Sequence, residues 1–190
     1  MPPQLYLTYN HVHHLIQTSA PHILSAFRPD LIIAIGGGGY IPARILRSFL
    51  KQPHSPNIPI QAIGLSLYEQ HGTAADPAAD PTVPAAHVTR TQWLDLRSLQ
   101  LSSLVGKSVL IVDEVDDTRT TLEYAVRELE RDVAAAAAPD AAPTRFAVFV
   151  LHNKDKEKKG RLPEAMMREG RYLAARTTED VWIHYPWEAT

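Results

Sequence analysis

Apolar positions in this chain fall into two kinds of run. Short, nearly unbroken ones stand at 31–35 (LIIAI), 109–112 (VLIV) and inside RFAVFVLHNK, read as a strand over 145–154. Runs of that length bounded by turn residues are the signature of strands buried on both faces of a parallel sheet. Residues 60–67 read as a further strand, and 88–96 (VTRTQWLDL) as the strand that returns beside it. Elsewhere the apolar residues recur at helical spacing: Val12, Leu15, Ile16, Ile23, Leu24 and Phe27 within 8–27, and Leu122, Ala125, Val126 and Leu129 in TLEYAVRELER. Thr8 and Asn10 suit the N-cap of the first helix, and Pro21 is expected to break or restart it. A third helix, IPARILRSFL, opens after four glycines with Pro42 in its first turn. Strands alternating with helices predict an α/β fold with a mainly parallel sheet, and no repeat or linker divides residues 1–190 into more than one domain. Ligands of such sheets lie at the carboxyl ends of the strands.

Two of those ends carry chemistry. After the strand at 109–112 come Asp113, Glu114, Asp116 and Asp117, then Thr118, Thr120 and Thr121, then a helix. The pattern reads as buried strand, acidic turn, hydroxyl-rich loop and helix start. Free N–H groups and the positive dipole end of a helix receive a phosphate. Carboxylates just upstream suit Mg²⁺ or sugar hydroxyls. Gly36 to Gly39 follow the strand at 31–35, and absent side chains let a phosphate approach backbone N–H groups. This second turn is neither GxGxxG nor a Walker A loop, and by itself it is equally a tight strand-to-helix turn.

Composition narrows the field. There is no cysteine, hence no disulfide framework, thiolate zinc site or cysteine nucleophile. A net charge of −2 argues against a dominant polyanion-binding surface, so no nucleic-acid partner is expected. No apolar run approaches a bilayer span and no signal peptide is apparent, so a cytoplasmic protein without a membrane partner is the expectation. His11, His13 and His14 lack companions at ligand spacing and read as a solvated helix face. The run KDKEKKGR at 154–161 reads in the same way. Residues 69–87 are rich in Ala, Pro and Asp, with little periodicity, and read as a loop, whereas 133–143 (VAAAAAPDAAP) is low-complexity and reads as a helix end followed by a loop.

The stretch VLIVDEVDDTRTT resembles the PRPP-binding motif of type I phosphoribosyltransferases, and most closely that of the fungal hypoxanthine, guanine and xanthine enzymes. Asp113 and Glu114 match the acid pair of the family pattern; Asp117, Thr118 and Thr121 match its Asp, first Thr and last Thr. Asp116 stands where that pattern has an apolar residue, and Arg119 where it has a glycine, a residue tolerant of φ > 0.

The resemblance implies the phosphoribosyltransferase fold, with a hood built from the two terminal segments and a flexible loop over the site at about 69–87. It implies a purine-salvage transferase that converts PRPP and hypoxanthine, guanine or xanthine to IMP, GMP or XMP and pyrophosphate, with Mg²⁺ as cofactor, in a homodimer. Asp113 and Glu114 then hold the ribose hydroxyls and metal. Residues Asp117, Thr118, Arg119, Thr120 and Thr121 form the 5′-phosphate turn, with Asp117 also acting on purine N7. Gly37, Gly38, Gly39 and Tyr68 face pyrophosphate, Gly37 standing where many relatives have Lys or Arg. Lys154, with Lys156 as the alternative, reaches O6. Trp182 stacks on the base and Ile183 offers it backbone groups, as in bacterial xanthine-guanine enzymes. Glu188 joins a second Mg²⁺, whereas Trp187 packs the chain end. The rival reading is a PRPP- or nucleotide-sensing regulator that keeps the fold without catalysis; an NTPase domain is disfavoured by the missing Walker lysine.

Overall fold

The computed structural model describes residues 3–69, 86–94 and 104–188. A six-stranded sheet runs through the molecule, built from β2 (Leu31–Gly36), β3 (Ile60–Glu69), β4 (Ala86–Gln92), β5 (Ser108–Asp116), β6 (Arg145–Lys154) and β7 (Tyr172–Thr178). Its order is β4-β3-β2-β5-β6-β7, and every pairing except β3 with β4 is parallel. The helices are α1 (Tyr9–Ala26), α2 (Tyr40–Leu50), α3 (Thr120–Ala136) and the short α4 (Glu164–Arg168).

Alternation along the strands sorts the core into two layers. Ile32, Ala34, Leu110, Val112, Ala147, Phe149 and Leu151 face α1 and α2, which contribute Val12, Ile16, Ile23 and Leu46. Leu31, Ile33, Ile35, Val109, Ile111, Val148 and Val150 face the other way, against Leu122, Val126 and Leu129 of α3 and Met166 of α4. Strands covered on both sides explain the unbroken apolar runs.

The remaining strands are β1 (Gln4–Tyr6) and β8 (Trp182–His184), which pair in parallel as a separate two-stranded sheet. This clasp joins the two terminal segments from which a hood is expected. Its β1, together with β7 and α4, has too little apolar periodicity to be read from sequence.

Pro21 does not break α1, which runs through it as one helix with a capping box between Thr8 and His11. The strand expected to end at Val112 continues to Asp116, and its ladder keeps pairing through Val115 with His152 and Asp116 with Asn153. The first acids are therefore strand residues rather than a turn. Residues 70–85, most of the expected flexible loop, lie outside the described residues; Tyr68 pairs with His87 in the β3–β4 ladder, and its side chain is likewise outside them.

Candidate active site

The chain leaves β2 toward β3 on one side and later places β5 on the other, so the carboxyl ends of β2 and β5 flank a topological switch point. A cavity of about 280 Å³ opens there, lined by Gly36, Gly37, Gly38, Asp113, Glu114, Asp116, Asp117, Thr118, Arg119 and Thr121. Both turns singled out by sequence thus face one space.

Asp113 and Glu114 stand side by side at its floor. Burial, with the charges of Glu114 and Asp116 adding, pushes Asp113 up to about 8 against the pull of the Glu114 N–H, which donates to its Oδ1 at 2.8 Å. Burial raises Glu114 to about 7; the Trp187 indole N–H opposes this and the Glu188 carboxylate adds to it. Two adjacent carboxylates that resist ionisation for want of a counter-charge fit a hard divalent cation. Among the described residues no three His, Cys, Asp or Glu groups converge as a metal cage. Such a carboxylate pair could serve Mg²⁺, which is held by one or two carboxylates with substrate oxygens completing its shell.

Across the cavity, the glycine turn begins at a cis Gly36–Gly37 peptide. A methyl group on Gly38 would run into the Glu114 carboxylate, so with any other residue there that acid would have to shift. The space around Gly37 is open, with no described atom within 4 Å of an added Cβ.

The phosphate-receiving turn is held from several sides. Arg119 caps α3 with φ +68° and ψ −2°, the left-handed region that costs a non-glycine residue about 1–2 kcal/mol. Its side chain is committed to Asp116, whose Oδ2 accepts from Arg119 Nε at 2.9 Å and NH2 at 2.7 Å. The first helical amide with a carbonyl partner is that of Glu123, on Arg119 O; those ahead of it have none within the helix. The run 154–161 is not a solvated face. Lys158 Nζ donates to the carbonyls of Asp116, Asp117 and Lys154 at 2.8, 2.9 and 2.7 Å. The Lys159 and Gly160 amides both donate to Thr118 O at 3.0 Å. Gly160 passes so close that an added Cβ would lie 2.6 Å from Arg119 O. The sequence offered no signal for this strap, because a charge run looks the same whether it meets water or an acidic turn.

A second, smaller cavity of about 170 Å³ adjoins the first and is lined by Glu114, Val115, Asp117, Lys154, Trp182, Ile183, Tyr185 and Glu188. The structure therefore brings together every residue assigned to the base. Lys154 Nζ lies 3.5 Å from Asp117 and 3.4 Å from Asp180, while Lys156 Nζ is 2.7 Å from Asp117 and also reaches Asp180. Trp182 is 62% exposed, its indole open to a stacking partner. The Trp182 backbone N–H donates to Pro3 O, and His184 O accepts from the Leu7 N–H. Alternation in that ladder turns the backbone of Ile183 away from β1.

Trp187 does more than pack the chain end, contrary to expectation. It stacks on Tyr185 at 4.9 Å and its Nε1 donates to Glu114 Oε2 at 2.9 Å. The Tyr185 hydroxyl donates to Glu114 O at 3.0 Å and touches His152 Nδ1 at 2.9 Å, which leaves His152 Nδ1 as the donor of that contact. The C-terminal segment thus hooks Glu114 by backbone and side chain together. Burial and the charge of Arg176 hold His152 down to about 4.

Residues 7–167 match the phosphoribosyl transferase domain family. A hypoxanthine-guanine phosphoribosyltransferase of Schizosaccharomyces pombe is 54% identical over 191 residues, covering 99% of this chain and 90% of the relative. Xanthine phosphoribosyltransferase 1 of Saccharomyces cerevisiae is 54% identical over 194 residues, covering 98% and 90%. Among solved structures, a hypothetical protein of Neisseria gonorrhoeae with bound ppGpp superposes with a TM-score of 0.77 at 36% identity, covering 100% of this chain and 91% of that one. With the motif, the strand order and these relatives in agreement over nearly its whole length, the chain belongs to the phosphoribosyltransferase family.

Proposed function

We propose that this protein transfers the phosphoribosyl group of PRPP to N9 of a 6-oxopurine, releasing pyrophosphate and a nucleoside 5′-monophosphate. The observation that carries this reading is the shared wall of the two cavities: Glu114, Val115 and Asp117 line both. A sugar phosphate in one and a flat base in the other would meet at that wall, where the C1′–oxygen bond breaks and the C1′–N9 bond forms.

In this scheme the ribose hydroxyls lie on Asp113 and Glu114, and the 5′-phosphate lies on the turn 117–121 at the start of α3. Mg²⁺, held by Asp113 and Glu114 with Glu188 beside them, supplies charge neutralisation for the departing pyrophosphate. Pyrophosphate lies along Gly37, Gly38 and Gly39, with Tyr68 at the end of β3 as a further contact. The base stacks on Trp182, faces the Ile183 backbone and takes Lys154 at O6. Entry of the base draws Lys154 away from Asp117 and Asp180. Asp117 then faces N7 and takes the purine proton as N9 attacks, a role that grows as positive charge spreads over the ring. A homodimer in the cytoplasm completes the proposal by analogy with the family.

Incubating the protein with PRPP, Mg²⁺ and hypoxanthine, guanine or xanthine in turn tests it. Release of pyrophosphate with formation of the matching monophosphate is the expected result. Tight PRPP binding with no turnover on any of the three bases overturns the transferase reading in favour of a nucleotide-sensing regulator.

A further inference from the structure

Position 119 needs a left-handed backbone, φ +68°, which glycine adopts freely and arginine does not. The side chain that would make this conformation costly is itself pinned. Its guanidinium forks onto one oxygen of Asp116, and Asp116 is 1% exposed. The Tyr172 hydroxyl donates to the same Oδ2 at 2.6 Å, and the Tyr172 ring lies 4.8 Å beneath the guanidinium. Tyr172 belongs to β7, the edge strand beyond β6, and lies behind Asp116 and Arg119 rather than in the lining of either cavity. Asp116 and Arg119 are also the two positions at which the acidic motif departs from the pattern it resembles. The two departures meet each other in space.

We propose that Asp116, Arg119 and Tyr172 form a lock that sets the left-handed turn ahead of α3, and that all three are positioning residues for the phosphate of PRPP. The inference rests on the reading that this turn receives the 5′-phosphate. The lock fixes by side-chain contacts what a glycine would permit by backbone freedom. Arg119 accordingly does not serve as the cation that meets the phosphate. Its charge is spent on a buried carboxylate, and the phosphate is met by amides and threonine hydroxyls.

The two roles available to Arg119 make opposite demands. A phosphate-pairing cation tolerates lysine and not glycine. A lock tolerates glycine, provided buried Asp116 is not left with only Lys158 Nζ, 3.7 Å from its Oδ1, as counter-charge, and does not tolerate lysine, which cannot fork or lie flat on the ring. Steady-state kinetics in PRPP, Mg²⁺ and hypoxanthine, with calorimetric PRPP titration and a melting curve for each variant, separates them. Arg119→Lys and Arg119→Gly should each raise the PRPP KM about tenfold while the purine KM stays near wild type. The double variant Asp116→Val with Arg119→Gly should return to within about threefold of the wild-type PRPP KM, a coupling that independent sites would not give. Tyr172→Phe, the mildest change, should raise the PRPP KM about threefold with kcat near wild type.

Retention of PRPP affinity by Arg119→Lys together with its loss in the double variant makes Arg119 a phosphate ligand and overturns the lock. Lowered melting temperatures with unchanged PRPP KM in the single variants overturn it too, since they leave only a structural brace. A wild-type protein that neither binds nor turns over PRPP sinks the functional reading and the lock with it. A wild-type protein that does both, beside variants that break the pattern above, sinks the lock alone.

Discussion

Asp117 faces both cavities, and its carboxylate is held by two lysines that a bound purine would partly displace. Its proposed contribution belongs to the moment when charge develops on the base. An interaction of that kind lowers kcat with little change in substrate affinity. Asp117→Asn keeps size and hydrogen bonding but loses the proton acceptor, so turnover should fall about 10–10³-fold with PRPP affinity held, as steady-state kinetics and calorimetry would read. Normal turnover would reduce Asp117 to a partner for Lys156. At this scale the sequence was most legible where a motif names residues, as for Asp113, Glu114, Asp117 and the threonines. It was least legible for residues that act on those: Trp187 on Glu114, Tyr172 on Asp116, Lys158 on three carbonyls. None of these is adjacent in sequence to what it holds, and each is of a type common in cores or on surfaces.

The strap after β6 governs how the elements meet. Lys158 draws the ends of β5 and β6 together through carbonyls on both, and burial lowers the proton affinity of its ammonium. Lys158→Met keeps the stem and strips the donors, leaving those carbonyls short of partners at roughly 1–3 kcal/mol in stability. Because the same strap donates to Thr118, a higher PRPP KM should accompany the lower melting temperature. A stability loss with wild-type KM would confine Lys158 to scaffolding. The sequence marks β2, β5 and β6 well because burial on both faces leaves unbroken apolar runs. It misplaces the end of β5, since acids at a ladder's end look like a loop even while the backbone goes on pairing. It passes over β7, only partly buried, and the five-residue α4, which is shorter than two turns and shows no period.

For the molecule as a whole, His152 links stability to pH. It is fully buried at the end of β6, held beneath the C-terminal hook by its contact with Tyr185, and its Nε2 has no partner among the described residues. Its folded pKa is depressed from 6.5 to about 4, so between those values the unfolded chain binds a proton that the folded protein refuses. Its contribution to stability is whole above pH 6.5 and is lost as pH falls toward 4. Thermal melting from pH 7 to 4 should show that decline, and His152→Gln should flatten it. An unchanged profile in the variant would assign the acid sensitivity to other groups.

The clasp between β1 and β8 has a consequence in time. Its two strands come from opposite ends of the chain, so pairing them closes a loop of nearly the full length, and each strand is only three residues long. Such a contact forms late in folding, once the long sheet has brought the ends near, and it opens first. The segment that carries Trp182 and hooks Glu114 should therefore open ahead of the sheet that carries the acidic motif. Amide exchange should report this: the Leu7 and Trp182 amides should exchange sooner than those of β5 and β6, and a nucleoside monophosphate should slow them most. Exchange of both groups at one common rate would mean that the ends and the centre open as a single unit.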